Sequence, residues 1–583
     1  MELKPIAEIL QNNNLGKPQL NALIPNVNNY KTFLLQPHGE IEANSEGVFN
    51  KNKEIAKQQF SSFLNEALKN DSDLVITPEY SLPWEVLIDS LNNEIKPKEG
   101  KIWVLGCESI KYSQLAEISH RISAKAKLLH EPLEADNDRY VDPLAYIFTA
   151  PSLIAGEGSK LVVVIQFKTH PMGDNDHFEI NGLQLGNHIY KFGGDAGQLS
   201  LISFICSDAF NINDAHANEI YDRSLIIHIQ LNPSPRHTQY RQYRDKLFNY
   251  ANDETELICV NWASNVHEWQ GEACKQWMNI SGSAWYSKSL KIDIRDNLLR
   301  DNHKKGLYYT WCKPLMTNVL FFNYAAGAYL LEATKVAHIG VPAAVSRRRG
   351  PQMSAVFLWD KAEESWVEKE SLDDGFSGLI PESGNAKDEL YRISKSCPIE
   401  VERILALSEG NFDEYEEWYL VRKLDSFGIG LNEVVYRITF CQDTDKTASS
   451  FRISRLRKCG ALWEILKDDA NLPQALADFK DGFNFKWSED KPHQNAISSS
   501  GKSATLIYMG EGYSKAKIES TTKNMSEMLS RSFSNPDDSH SAKQRLAVWY
   551  RDLTGKINQF NPDKFIRYDD PGSNSEFDLG RED

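Results

Sequence analysis

The chain has no run approaching the ~18 consecutive apolar residues of a membrane span, and its amino terminus, MELKPIAEILQNNNLGKPQL, lacks the charged, apolar and small-residue order of a secretory signal. A soluble cytoplasmic protein with no membrane partner is expected. Basic residues are scarce: 65 Lys and Arg stand against 81 Asp and Glu, a formal net charge of -16. This balance argues against a dedicated nucleic-acid binder and points to small molecules or proteins as partners. The 8 cysteines form no CxxC pair and show no regular spacing. They read as reduced thiols, not as zinc ligands or a disulfide framework. There is no internal repeat.

What is present suffices for more than one core. With 583 residues, 41% of them hydrophobic and 11% aromatic, the usual domain-length relation gives about two to four units. From residue 28 onward, short β-rich runs alternate with amphipathic stretches. TFLLQP, DLVITPEY, KIWVLGCESI, LVVVIQFK, LSLISFIC, RSLIIHIQLNP and ELICVNWAS read as strands. KEIAKQQFSSFLNEALKN, EVLIDSLNN and YRQYRDKLFNYANDE read as helices. GAYLLEATKVAHIG and SAVFLWDKAEESWVE read as a closing strand pair around the loop VSRRRGPQ. Such alternation predicts an α/β domain, helices layered on sheets, over residues 28–370. Residues 371–583 carry helical periodicity in DELYRISKSCPIEVERILALSEG, FDEYEEWYLVRKLDSFG and SAKQRLAVWYRDLTGKINQF, with EVVYRITFC as a possible strand. They predict a separate, mainly helical domain, with SEDKPHQNAISSSGKSA as loop and a disordered tail from about 570.

Three apolar strands end in a chemically potent residue: DLVITPE delivers Glu79, LVVVIQFK delivers Lys168 and LSLISFIC delivers Cys206. In layered α/β folds, strand ends aim side chains into a common crevice. A carboxylate that takes the thiol proton, a thiolate that attacks an electrophilic carbon and an ammonium that stabilises the oxyanion make a working set. A lone buried cysteine is more often a small core hydrophobe. The order and contexts of the three residues together favour the catalytic reading.

These contexts resemble the nitrilase, or carbon-nitrogen hydrolase, superfamily. ITPEYSLPW, FKTHPM and ICSDAF are similar to the family's glutamate, lysine and cysteine contexts. QLNPSPRH, CVNWASN and SGSAW are similar to its asparagine-proline turn, its later strand and its Gly-x-Ser turn. The resemblance covers about residues 30–370 and implies a four-layer α-β-β-α sandwich that pairs into homo-oligomers. It implies an amidase more than a nitrilase, working through a cysteine thioester and needing no cofactor or metal, on a small-molecule amide. It further implies catalytic roles for Glu79, Lys168 and Cys206, support from Glu179 in HFEING, and an oxyanion or substrate pocket around Ser207, Tyr80 and His237. Ser207 stands where many relatives carry an aromatic. EPLEADNDRYVDPLAY reads as a long insertion, and the tract from Lys275 to Trp311 exceeds a minimal member's length. The activated thiol of Cys206 is expected to outpace the other seven cysteines toward iodoacetamide.

Other motifs are weaker. HPMGDNDH gathers imidazoles and carboxylates, but its spacing fits no metal site. SSSGKS lacks the first glycine of a phosphate loop, having Ala496 there. Some nitrilase-like domains feed ammonia to a synthetase bearing SGGxDS; residues 371–583 contain no such segment, which argues against a glutamine-dependent NAD synthetase. The polymerase motif of antiphage reverse transcriptases, parts of which resemble this fold, is also missing: RYDD has Arg567 in the aromatic position. The basic run SFRISRLRKCG reads as a solvated helix face or protein-docking patch. The rival to an enzyme is a nitrilase-fold ligand sensor or scaffold in a multicomponent, antiphage-type system.

Overall fold

The computed structural model describes residues 1–134, 136, 138–173, 177–194, 199–235, 238–250, 254–277, 283–288, 292–337, 350–370, 378–410, 417–424, 437, 446–468 and 472–560. The chain forms two compact units, Met1–Leu372 and, in the main, Asp373–Gly430 with Val434–Asp583. It is a mixed α/β architecture with several sheets and a helical region. Among the described residues, no helix is long and apolar enough to cross a membrane.

The first unit is built on two large sheets. The nine-stranded sheet runs in the order Ser365–Lys369, Gln352–Asp360, Gly327–Thr334, Asn29–Gln36, Leu74–Leu82, Ile102–Cys107, Pro143–Ala150, Lys160–Phe167, Lys127–His130. One face is covered by helices, and the reason is visible in the residue pattern. In the Lys53–Lys69 helix, capped by the Asn52 side chain, Ala56, Phe60, Phe63, Leu64 and Ala67 recur at helical spacing and are buried. They meet Phe33, Leu35, Val75 and Trp103, the alternate residues of the strands beneath. Phe33 and Phe63 stack at 4.8 Å.

The eight-stranded sheet runs Glu2–Pro5, His188–Gly193, Ser200–Ile205, Ser224–Ile229, Thr255–Val260, Ala284–Ser287, Thr317–Phe322, Leu307–Cys312. Its strands meet the nine-stranded sheet through side chains: Phe192 lies 4.9 Å from Tyr146 and 5.4 Å from Phe148, and the Gln166 amide donates to the Ser203 carbonyl at 3.0 Å. Its central strands, Ser200–Ile205, Ser224–Ile229 and Thr255–Val260, are parallel and wholly buried. This is why they read as continuous apolar runs without alternation.

The structure corrects several expectations about extent. The first unit begins before residue 28, because Glu2–Pro5 pairs in parallel with His188–Gly193. The end of the supposed insertion EPLEADNDRYVDPLAY is core: Pro143–Ala150 pairs antiparallel with Ile102–Cys107 and with Lys160–Phe167. The extra length between Lys275 and Trp311 contributes Ala284–Ser287 and most of Leu307–Cys312 to the eight-stranded sheet, and it opens with the end of Ala273–Trp277, which joins a small sheet with Val266–Gln270, Glu40–Asn44 and Gly47–Asn50.

In the second unit, helices Lys387–Ser396, Pro398–Glu409 and Lys446–Lys467 share a core with a five-stranded sheet. Two of its strands come from sequence read as helix: SAKQRLAVWYRDLTGKINQF ends one helix and then forms the hairpin Leu546–Arg551 and Ile557–Phe560. The apolar residues of LAVWY suit either period, and burial against Ser503–Tyr508 decides for strand. SSSGKS is the turn of the hairpin joining Ala496–Ser498 to Ser503–Tyr508, so it opens no helix. The stretch EVVYRITFC except Arg437, the loop VSRRRGPQ except its last residues, and the tail beyond 560 lie outside the described residues.

Candidate active site

The nine-stranded sheet is interrupted where Glu79 sits. Register with Ile102–Cys107 holds through Thr77 and resumes at Leu82. Between these, Pro78 to Ser81 bulge out, and Tyr80 takes a left-handed φ of 56°. Gly106 makes room: a β-carbon there would collide with the Pro78 carbonyl. Antiparallel pairing of Pro143 with Phe167 brings the next residues out together, and Lys168 N donates to the Asp142 carbonyl at 3.0 Å. Cys206 follows the Ser200–Ile205 strand at the start of a short 3-10 turn, with φ 41°. A non-glycine residue held in that region is strained, and such strain gathers at functional sites. Asp208 secures the turn: its carboxylate accepts from the Ile205 N–H at 3.1 Å and from the Thr169 N–H and hydroxyl at 2.6 and 2.8 Å. The ends of the Lys168 and Cys206 strands are thereby tied together.

The charged centre is wholly buried. Lys168 Nζ lies 2.7 Å from Glu79 Oε1, 2.8 Å from Glu179 Oε1 and 3.6 Å from Asp142 Oδ2. The other Glu79 oxygen accepts from the Leu231 N–H at 2.6 Å, and its carbonyl from the Trp262 indole at 2.8 Å. Glu179 accepts from the Tyr80 hydroxyl at 2.9 Å and from the Met172 N–H at 2.7 Å. Glu79, Asp142 and Glu179 bring oxygens within 4.8 Å of one another, and the Lys168 ammonium takes the cation's place among them.

Burial pushes Glu79 above the usual carboxylate range, against the pull of Lys168. Burial also raises Glu179, but Lys168 and the Met172 N–H outweigh it, and the net shift is downward. Burial and then the Glu79 carboxylate drive the Cys206 thiol well up, opposed by Lys168. Burial thus favours the protonated thiol over the thiolate. Cys274 is exposed. Among the described cysteines, an unbiased alkylator is thus expected to reach Cys274 first, a revision of the order anticipated from sequence.

Glu79, Tyr80, Glu179 and Cys206 line one cavity of about 590 Å3. Ile41, Phe178, Leu231 and Trp277 form its apolar wall; Glu268, Gln270 and Lys275 supply polar groups. Glu268 is itself held by the Trp277 indole at 2.7 Å and the Gln270 amide at 2.8 Å. The Ser207 side chain is buried and donates to the His170 carbonyl at 2.6 Å, leaving only its backbone as a candidate oxyanion donor. His237 lies outside the described residues, as do the first two residues of SGSAW and residues 174–176 of HPMGDNDH.

Sequence reasoning missed two neighbours of these groups. One is Asp142. The other is Tyr240, on the Thr238–Tyr250 helix, whose hydroxyl lies 3.2 Å from Cys206 Sγ. Behind the thiol, His228 Nε2 donates to the Cys206 carbonyl at 2.9 Å, and Nδ1 accepts from the Tyr243 hydroxyl.

No protein-family model and no curated protein matches the chain. Among solved structures, the chain is similar to a glutamine-dependent NAD+ synthetase from Acinetobacter baumannii in complex with ADP, at 14% identity over 61% of this chain and 53% of that one, with a TM-score of 0.29. It is also similar to a glutamine-dependent NAD(+) synthetase from Cytophaga hutchinsonii, at 9% identity over 91% of this chain and 66% of that one, with a TM-score of 0.25. This chain thus spans about half the length of the first and two thirds of the second.

Proposed function

We propose that the first unit is a nitrilase-type amidohydrolase, its two large sheets and flanking helices forming a four-layer sandwich around a cysteine nucleophile. The observation that carries this reading is the cavity wall on which Cys206 and Glu79 both lie, with Lys168 bonded to Glu79 behind it. Glu79 takes the thiol proton as sulfur attacks the amide carbonyl carbon. The tetrahedral oxyanion is stabilised by Lys168 and by the Ser207 N–H. Its collapse breaks the C–N bond, and Glu79 returns the proton to the departing amine or ammonia. A water deprotonated by Glu79 then attacks the thioester, the C–S bond breaks, Glu79 returns the proton to the departing sulfur and the acid is released. The cavity's volume suits a small molecule, and its apolar wall suits an acyl group with hydrocarbon or aromatic character.

The test is incubation of the purified full chain with an amide library, with mass detection of released acids and of acyl adducts on the Cys206 peptide. Product formation and an adduct, both lost in Cys206→Ala, are expected. A Cys206→Ala protein that hydrolyses at the wild-type rate, or no product and no adduct across the library, would overturn the reading in favour of a ligand sensor.

A further inference from the structure

The charged centre holds more acid than base. Three carboxyl groups, those of Glu79, Asp142 and Glu179, surround a single ammonium, all in a site where no side chain is more than 3% exposed. Like charges this close in a dry site do not all ionise, so one carboxyl keeps a proton. The hydrogen bonds say which. Glu179 accepts from Lys168, the Tyr80 hydroxyl and the Met172 N–H. Glu79 accepts from Lys168 and the Leu231 N–H. Among the described residues, none donates to the Asp142 carboxyl within hydrogen-bond distance, and its nearest cation is Lys168 at 3.6 Å. A carboxylate lacking donors in such a place is costly, whereas a carboxylic acid there has a proton to give.

Building on the hydrolase reading above, we propose that Asp142 is a positioning residue that works as a neutral acid: it carries the resting site's extra proton and donates it in a hydrogen bond to the Glu79 carboxylate. The centre then holds one net negative charge in place of two, which matters to a sulfur that must itself become anionic a short distance away. Glu79 is kept ionised, ready to take the Cys206 proton, and aimed between Lys168 and Leu231. Burial, and then the charge of Glu79, push Asp142 well above the usual acid range, in accord with this assignment. The other groups facing it are Lys168, Glu179, Tyr80, Tyr140 and Cys107. Chain register explains the placement: Asp142 precedes the Pro143–Ala150 strand, directly across from Lys168.

Two measurements on the full chain, neither needing a substrate, test this. Infrared difference spectra between wild type and Asp142→Asn at neutral pH should contain the C=O stretch of a protonated carboxylic acid, present in wild type and lost in the variant. Site-resolved iodoacetamide labelling of the Cys206 peptide should be within about threefold of wild type in Asp142→Asn, which keeps a neutral donor, and slower by about tenfold or more in Asp142→Ala, which has none, a tenfold change being one pKa unit. If Asp142→Ala fails to fold, the infrared band and Asp142→Asn still decide. A carboxylate band for Asp142 at neutral pH, or Asp142→Asn labelling slowed tenfold, would overturn the proposal even if amide hydrolysis were established. Loss of the hydrolase reading alone would leave both signals intact.

Discussion

Each unit buries an ion cluster, and the two are built to different ends. In the second unit, the Arg455 Nε donates to Glu409 at 2.8 Å and its Nη1 to Glu402 at 2.9 Å, with Lys458 3.8 Å from Glu409. Among the described residues, two carboxylates face two cations there, between the Pro398–Glu409 and Lys446–Lys467 helices. The guanidinium's fixed fork is matched to its acceptors, so the cluster has one arrangement and serves as a clamp. In the first unit, three carboxyls face one ammonium, and the cluster opens through Glu79 and Glu179 onto a cavity with a thiol on its wall. Excess acid around a point charge leaves a proton free to move. Arg455, Glu402 and Glu409 are buried as deeply as the first cluster; charge balance and an adjoining cavity separate a clamp from the proposed reactive centre.

The largest expected effect breaks the comparison directly. Lys168→Ala should lower kcat/KM for amide hydrolysis by about a thousandfold or more, because both the oxyanion donor and the partner of Glu79 are lost. Arg455→Met, which removes a buried guanidinium from both Glu402 and Glu409, should instead destabilise the second unit by about 3–5 kcal/mol in denaturant titration. A cost under about 1 kcal/mol for Arg455→Met would erase the distinction between the clusters.

Next in size is Gly106→Ala. The added methyl displaces the Pro78 to Ser81 bulge and with it Glu79, and a shift of about 1 Å in a catalytic group costs about a hundredfold in turnover. Unchanged turnover would show that the bulge does not need the space Gly106 leaves.

The smallest effect sharpens the picture of the thiol's support. Burial lowers His228 from 6.5 to about 3. As pH falls below 6.5 the unfolded chain takes up this proton and the folded chain does not until about 3, so the unfolded state binds more protons and stability falls with falling pH across that window. The slope is about 1.4 kcal/mol per pH unit at most. Asp208, raised by burial from 3.8 to about 6, contributes a slope of opposite sign between those values. The difference between wild type and His228→Gln in chemical denaturation at several pH values isolates the histidine. Parallel curves would mean that His228 is protonated in the folded protein.

Glu79, Lys168 and Cys206 were legible because each closes a short apolar run, and such a run is a local signal. Glu179 was reached only through a resemblance in the sequence around it. Asp142 was hidden by its setting, since VDPLAY looked like the end of an insertion until Pro143–Ala150 was seen paired on both sides. Tyr240 gave no signal beyond its place on an amphipathic helix. The basic run SFRISRLRKCG misled in the opposite sense: Arg452 and Arg455 are buried, and only Arg457, paired with Glu382, lies on the exposed side of the helix. A charged residue in a helix reads as solvated unless its acids are known, and Glu402 and Glu409 lie more than forty residues away.

By itself the sequence determined where the strands bearing Glu79, Lys168 and Cys206 run and that each carries its residue to its end, because strand period, turn chemistry and apolar content are properties of a few neighbouring residues. Only the tertiary structure decided that a third carboxyl joins the site, that the Ser207 side chain turns away from the cavity and that the Lys275 to Trp311 tract adds strands to existing sheets. Those outcomes depend on register and on distances between groups far apart in the chain. Electrostatic energy in a buried site varies steeply with such distances, and no local pattern encodes them.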